Sequence, residues 1–199
     1  PKWVCGFSDV TVLHSHIWQN FGIETIHSIM PVQLKKLGGE SDAAKTLVKS
    51  LKGEKLDYEF SAHPLNRTGS AEGIIVGGNL SILYSLLGSV SDIGTTGKIL
   101  FIEDIDEYLY HIDRMMMAMK RAGKLDKLKG LVVGGMSDMK DNAIPFGKNA
   151  EEIIVDAVKE YDFPVCFNFP AGHIDANCAL YIGKSAKLEV GKAKSTLVF

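Results

Sequence analysis

The stretch Trp3-Val4-Cys5-Gly6-Phe7-Ser8-Asp9-Val10-Thr11-Val12-Leu13 decides how this chain is read. Its apolar run Trp3-Val4-Cys5 suits a strand, Gly6-Phe7-Ser8-Asp9 a sharp turn, and the residues after it a helix. A serine at the apex of such a turn projects its hydroxyl away from the backbone. The amide of the next residue, Asp9, then faces any oxyanion that forms on a carbonyl under attack. The outline is that of a nucleophile elbow. The usual G-x-S-x-G pattern has a small residue two places after the serine, and Val10 stands there instead. The plainer alternative is that Ser8 and Asp9 cap the helix that follows. A serine nucleophile also needs a base and an acid to orient that base, and both must come from elsewhere in the chain.

Outward from the elbow, residues 3–7 predict a strand, 9–20 a helix and 23–30 a second strand, with Gly22 as the helix stop. A single βαβ unit cannot cover both faces of a parallel sheet. Residues 1–31 are therefore expected to be the remnant of an N-terminal parallel-sheet domain whose sheet continues ahead of Pro1. Residues 32–70 read as a linker with a short helix at 42–51, a strand around Tyr58-Glu59-Phe60 and a turn-rich stretch from His63 to Gly69. Residues 71–199 read as a C-terminal α/β domain. Strands are expected at 73–76, 98–103 and 130–133, each followed by a helix (to Leu87, 107–122 and 150–161). Four short β segments then close the chain at 165–167, 180–182, 186–190 and 195–199. Helical steps followed by a β-rich tail predict a curled or barrel-like sheet in an α/β fold.

Partners for the serine are sought at strand ends and on irregular loops, where a rigid sheet presents side chains to a cleft. Glu103 and Asp104 end Ile99-Leu100-Phe101-Ile102, the most apolar strand in the chain, and an acid there can orient an imidazole. The alternative for both is a solvated or helix-capping role. His173 lies in Asn168-Phe169-Pro170-Ala171-Gly172-His173-Ile174-Asp175, where proline and glycine fix an irregular backbone. His14 and His16 fall on different faces of the first helix, His27 in a strand, His63 before a proline and His111 in mid-helix, which reads as structure or surface for each. Gly77-Gly78-Asn79 permits close backbone approach, and Asn79 suits an N-cap. This turn is a candidate substrate-binding element, with a simple strand-to-helix turn as the alternative. Met115, Met116, Met117 and Met119 are expected to fill core gaps.

Composition narrows the class of partner. Among 199 residues, 46% are hydrophobic and the formal net charge is -2, with lysines scattered rather than striped. That charge pattern gives no footprint for nucleic acid or an anionic membrane surface, and it predicts a small uncharged or zwitterionic partner. Cys5, Cys166 and Cys178 are odd in number and lack C-x-x-C spacing, which argues for free thiols in a reducing compartment and against a disulfide framework or zinc knuckle. No apolar run reaches the ~18 residues that a membrane helix needs.

With these blocks assembled, the chain resembles the LD-carboxypeptidase family of serine peptidases, which includes muramoyltetrapeptide carboxypeptidases and microcin C immunity peptidases. The likeness is carried by Gly6-Phe7-Ser8-Asp9-Val10-Thr11, Gly77-Gly78-Asn79-Leu80, Ile102-Glu103-Asp104 with Ile112-Asp113-Arg114, and Pro170-Ala171-Gly172-His173, in that order. The resemblance covers the later two-thirds of such an enzyme. It implies a triad of Ser8 as nucleophile, His173 as base and then acid, and Glu103 as the orienting carboxylate, with the Asp9 amide as one oxyanion donor. The family places the serine in an N-terminal domain and the acid and histidine in a C-terminal one. A further oxyanion donor comes from the segment ahead of the elbow. The resemblance also implies a cytoplasmic homodimer, without metal or organic cofactor, that releases terminal D-alanine from peptidoglycan-derived tetrapeptides during cell-wall recycling. Two other readings stand beside it: a microcin C immunity-type peptidase acting on peptidyl or aminoacyl nucleotides, and a non-catalytic module or inactive fragment.

Overall fold

A computed structural model describes residues 2–199. Two sheets organise it. The smaller has the order β1-β2-β8, in which β1 (Cys5–Gly6) pairs parallel with β2 (Thr25–His27) and β2 pairs antiparallel with β8 (Leu180–Ile182). The larger runs β3-β10-β9-β4-β5-β6-β7. Its strands are β3 (Asp57–Ser61), β4 (Gly69–Asn79), β5 (Ile99–Ile105), β6 (Gly130–Ser137), β7 (Val165–Cys166), β9 (Ser185–Val190) and β10 (Lys194–Val198). Pairing is parallel from β4 through β7 and antiparallel from β4 through β9 and β10 to β3.

The apolar run Ile99-Leu100-Phe101-Ile102 belongs to a strand covered on both faces, and the two side-chain sets go to two cores. Leu100 and Ile102 join Val76, Leu131 and Val133 beneath the helices α4 (Leu80–Ser85), α5 (Leu109–Arg121) and α6 (Ala150–Ala157). Ile99 and Phe101 face the other way, against Leu180, Tyr181, Leu188 and Leu197 of the antiparallel strands and against Phe169. Met115, Met116 and Met119 lie buried in the helical layer and fill it, as expected of unbranched side chains.

The strand order of the large sheet is linear, so the sheet is open, yet it curls. Arg67, just ahead of β4, exchanges both backbone hydrogen bonds with Val165 of β7, drawing the far edge round toward the start of β4. Among the described residues no helix is long and apolar enough to cross a membrane.

Several local expectations shift. The first strand pairs only at Cys5–Gly6, and its helix starts as a single 3-10 turn, Ser8–Val10, before α1 (Thr11–Phe21). Residues 32–70 hold two helices, α2 (Pro31–Leu37) and α3 (Asp42–Leu51), and their strand β3 pairs with β10 of the large sheet. Gly77 and Gly78 lie in β4 and not in a turn. β8, read with the C-terminal segment, completes the small sheet beside β2, and Gly183 after it takes φ +95° where a Cβ would come 2.4 Å from the Trp18 ring of α1. That close approach joins the two halves of the chain.

Candidate active site

The elbow is built by close packing around a strained serine. Phe7 is extended (φ -146°, ψ -169°), and Ser8 then turns to φ +59°, a left-handed backbone uncommon outside glycine and asparagine. Val10 N–H donates to Phe7 O at 3.1 Å and closes the turn. The Asp9 N–H sits in the first turn of the helical segment, where amides have no intrahelical acceptor. The role of Val10, the residue that departs from the usual motif, is to pack on Gly6. A Cβ at Gly6 would stand 2.7 Å from Val10 Cγ2, so the bulk at 10 is matched by its absence at 6. Ser28 N–H and His14 Nε2–H both donate to Gly6 O, at 3.0 and 2.9 Å, which anchors the turn to β2 and α1.

The acid comes from the carboxyl end of β5, the end at which open α/β sheets gather ligands. Pairing with β6 slips between Ile102 and Asp104, and this irregularity falls at Glu103. Glu103 and Asp104 then diverge. Asp104 accepts hydrogen bonds from Asn79 Nδ2 and Ser81 N, both at 2.9 Å, while Glu103 points to the loop after β7. Burial raises the Asp104 pKa against the effect of those hydrogen bonds.

Glu103 is fully buried and His173 is half-buried beside it. Glu103 Oε2 accepts from His173 Nδ1 at 2.7 Å and from the His173 backbone N–H at 3.1 Å. With Nδ1 donating, Nε2 is the free acceptor, and it lies 3.2 Å from Ser8 Oγ. Gly172 makes the approach possible: at φ +106°, a Cβ there would fall 2.7 Å from Glu103 Oε2. The loop is pinned further by Gly172 N–H to Asn177 Oδ1 (2.9 Å), Ser137 Oγ–H to His173 O (2.9 Å) and Gly135 N–H to Ala171 O (2.9 Å). Burial works to lower the His173 pKa, but the Glu103 hydrogen bond and the charges of Glu103, Asp104 and Asp9 outweigh it, so the net shift is upward. Phe7 covers the imidazole with ring centroids 4.8 Å apart.

The geometry thus brings Ser8, His173 and Glu103 into one hydrogen-bonded line, with Asp9 next to the serine. It does not bring Gly77 or Gly78 to a cleft. A Cβ at Gly77 would lie 1.9 Å from Phe101 O and one at Gly78 2.4 Å from Thr11 Oγ1, so both glycines serve strand and helix contact. Asn79 caps α4 by accepting from Ile82 N–H, and its own N–H donates to Thr11 Oγ1 at 3.0 Å. The remaining histidines are structural or surface groups. His27 is wholly buried between Phe7 and Phe101, and burial, then the neighbouring His14 and His173, push its pKa down to about 3. Sequence reasoning has Gly172 shaping the histidine loop but not its close approach to Glu103, and it misses Asn177 as a support of that loop. Among the described residues no cluster of three His, Cys, Asp or Glu side chains converges as a metal site.

Comparison with known proteins adds three kinds of match. A family model for the LD-carboxypeptidase C-terminal domain matches residues 72–188, and one for the LD-carboxypeptidase N-terminal domain matches residues 1–28. A probable murein peptide carboxypeptidase of Bacillus subtilis is 37% identical, covering 100% of this chain and 62% of that protein. A murein tetrapeptide carboxypeptidase of Pseudomonas aeruginosa is 26% identical over 95% of this chain and 63% of its own length. The chain therefore spans a little under two thirds of these curated relatives. The crystal structure of a muramoyltetrapeptide carboxypeptidase from Oxalobacter formigenes superposes with TM-score 0.90 at 24% identity, over 99% of this chain and 67% of that one. The microcin C7 self-immunity protein MccF in complex with aspartyl sulfamoyl adenosine superposes with TM-score 0.81 at 20% identity, over 100% and 68%. At those identities the two structures speak for the fold.

Proposed function

The chain belongs to the LD-carboxypeptidase family, and from that premise we propose that it is the catalytic part of a serine peptidase that removes a terminal D-alanine from peptidoglycan-derived tetrapeptides by cutting an L,D-amide bond. The observation that carries this reading is the continuous line Ser8 Oγ to His173 Nε2, 3.2 Å, and His173 Nδ1 to Glu103 Oε2, 2.7 Å. A hydroxyl–imidazole contact of this length is ordinary before substrate tightens it.

In the proposed reaction Ser8 Oγ attacks the scissile carbonyl carbon as its proton passes to His173 Nε2. The oxyanion is met by the Asp9 N–H. The imidazolium, held by Glu103, then gives that proton to the leaving nitrogen, and D-alanine departs. Water attacks the acyl-serine with Nε2 again taking a proton, and the peptide acid and free Ser8 are restored. The raised pKa of His173 suits the step in which the ring is charged.

The names of the curated relatives support the murein-peptide substrate. The likeness to MccF in complex with an aminoacyl sulfamoyl nucleoside is what favours the second reading, a peptidase of aminoacyl nucleotides. The proposal further takes the protein to be a cytoplasmic homodimer. Incubating the whole protein with a muropeptide tetrapeptide and with aspartyl sulfamoyl adenosine, and following D-alanine and aspartate, tests the choice. D-alanine release that Ser8→Ala reduces by about 10⁴-fold or more supports the proposal; near-normal release by the variant, or aspartate as the preferred product, contradicts it.

A further inference from the structure

Beside the imidazole lies a cavity of about 190 Å³ that the proposed chemistry has not yet filled. Its floor is apolar, made by Ile29, Leu37, Ile105 and Ile174, and His173 borders it whereas Ser8 does not. In acyl transfer the atom next to the imidazolium when it surrenders its proton is the leaving nitrogen. The cavity is thus placed for the residue that leaves. It is smaller than the ~300 Å³ at which pockets for drug-sized ligands begin, which suits one small amino acid.

The polar groups at the rim tell what that amino acid carries. Lys36, near the end of α2, is the sole lysine or arginine among the described residues lining the cavity. Its ammonium lies 3.3 Å from Asp175 Oδ1 on the histidine loop, and both side chains are more than three quarters exposed (76% and 81%). A pair so exposed holds weakly and gives way to a competing anion. One turn earlier on α2, Gln33 also lines the cavity; its Oε1 accepts the Met30 N–H at 3.0 Å, which leaves the NH₂ as the end of the side chain able to donate to a ligand. The rest of the neighbourhood is anionic, with Glu103, Asp104, Asp9 and Asp175 around the imidazole. A leaving residue that brings its own carboxylate needs a cation there.

We propose that Lys36 is the residue that selects a free C-terminal carboxylate on the leaving residue, exchanging Asp175 for the substrate carboxylate, with the Gln33 amide as a second donor. This rests on the peptidase reading above and would make the enzyme an exopeptidase through a charge on α2, outside the residues that do the chemistry. The test uses the whole protein with the tetrapeptide L-Ala-γ-D-Glu-L-Lys-D-Ala and the same peptide ending in D-alaninamide. The wild type is expected to prefer the free acid through KM. Lys36→Met should raise KM for the acid by about 10- to 100-fold, the range for one charge-assisted hydrogen bond. It should leave kcat within a few-fold, KM for the amide unchanged and thermal unfolding unmoved, and Lys36→Arg should restore most of the preference. An acid-to-amide ratio that is the same in wild type and Lys36→Met, both cleaving well, overturns the assignment of Lys36 and leaves the peptidase reading standing. Failure of the folded wild type to cleave either peptide overturns that reading and this inference with it.

Discussion

At Ser8 the chain holds a non-glycine residue at φ +59°, a conformation costing on the order of 1–3 kcal/mol that persists only where the surroundings fix it. The fixing contacts are Val10 against Gly6 and the two hydrogen bonds to Gly6 O. What the strain achieves is direction, because it aims Oγ at His173 Nε2. The imidazole is tuned in turn. Burial alone would depress its pKa, and the Glu103 hydrogen bond, with the charges of Glu103, Asp104 and Asp9, reverses the sign. A base works only when neutral, so kcat/KM should rise with pH through a limb above the ordinary histidine value of 6.5. Glu103→Gln removes the main raising influence and the tautomer control together. The limb should move to lower pH and kcat should fall on the order of 10³–10⁴-fold. A pH–rate profile of the variant checks this, and an unmoved limb with wild-type kcat would remove Glu103 from the mechanism.

The elements carry the site through a few long-range ties. α1 is joined to β4 by Thr11 Oγ1, which accepts the Asn79 N–H at 3.0 Å, and Asn79 is the register partner of Glu103 on β5. Thr11→Val keeps the shape and strands a buried donor, so stability should drop by about 1–3 kcal/mol, and kcat should fall with it as the elbow loosens from the strand that bears the acid. Thermal unfolding and turnover measured side by side check the link; loss of stability with unchanged kcat would show that the tie only holds the fold. How far such elements could be read from sequence follows from the range of the forces that make them. Ile99-Leu100-Phe101-Ile102 and the Asn79 cap declare themselves locally, whereas elbow, acid and histidine are tied together only by the family resemblance. Gly77-Gly78 does not declare itself. A glycine pair reads as a turn, whereas here it is strand, and glycine is demanded by Phe101 O and Thr11 Oγ1, residues remote in sequence. The loop-shaping role of Gly172 is legible, but its need for a bare Cα is not, since that is set by Glu103.

Across the whole molecule, Ser8 and His173 meet over a sequence separation of 165, and the packing that joins their segments is extensive. β8 adds to the sheet begun by β1 and β2, Gly183 rests on Trp18, and Tyr181 Oη–H donates to the carbonyls of Ser50 and Glu54 at 3.1 and 3.0 Å, fastening α3 to β8. Behind the imidazole, Phe7, His27 and Phe101 form a buried aromatic layer that unites β1, β2 and β5. The segment 32–70, read in sequence as a linker, is bound on one side through β3 to β10 and presents α2 to the cleft on the other. The hydrogen-bonded line Ser8–His173–Glu103 is in this way a property of the assembled fold. The most direct measurement of that claim is peptide-mapped labelling by a fluorophosphonate, which reports a serine activated by its base without requiring knowledge of the substrate. The account predicts a single adduct on Ser8, formed at least about 100-fold more slowly in folded His173→Ala. A folded wild-type protein left unlabelled, or labelled at another serine, would contradict it.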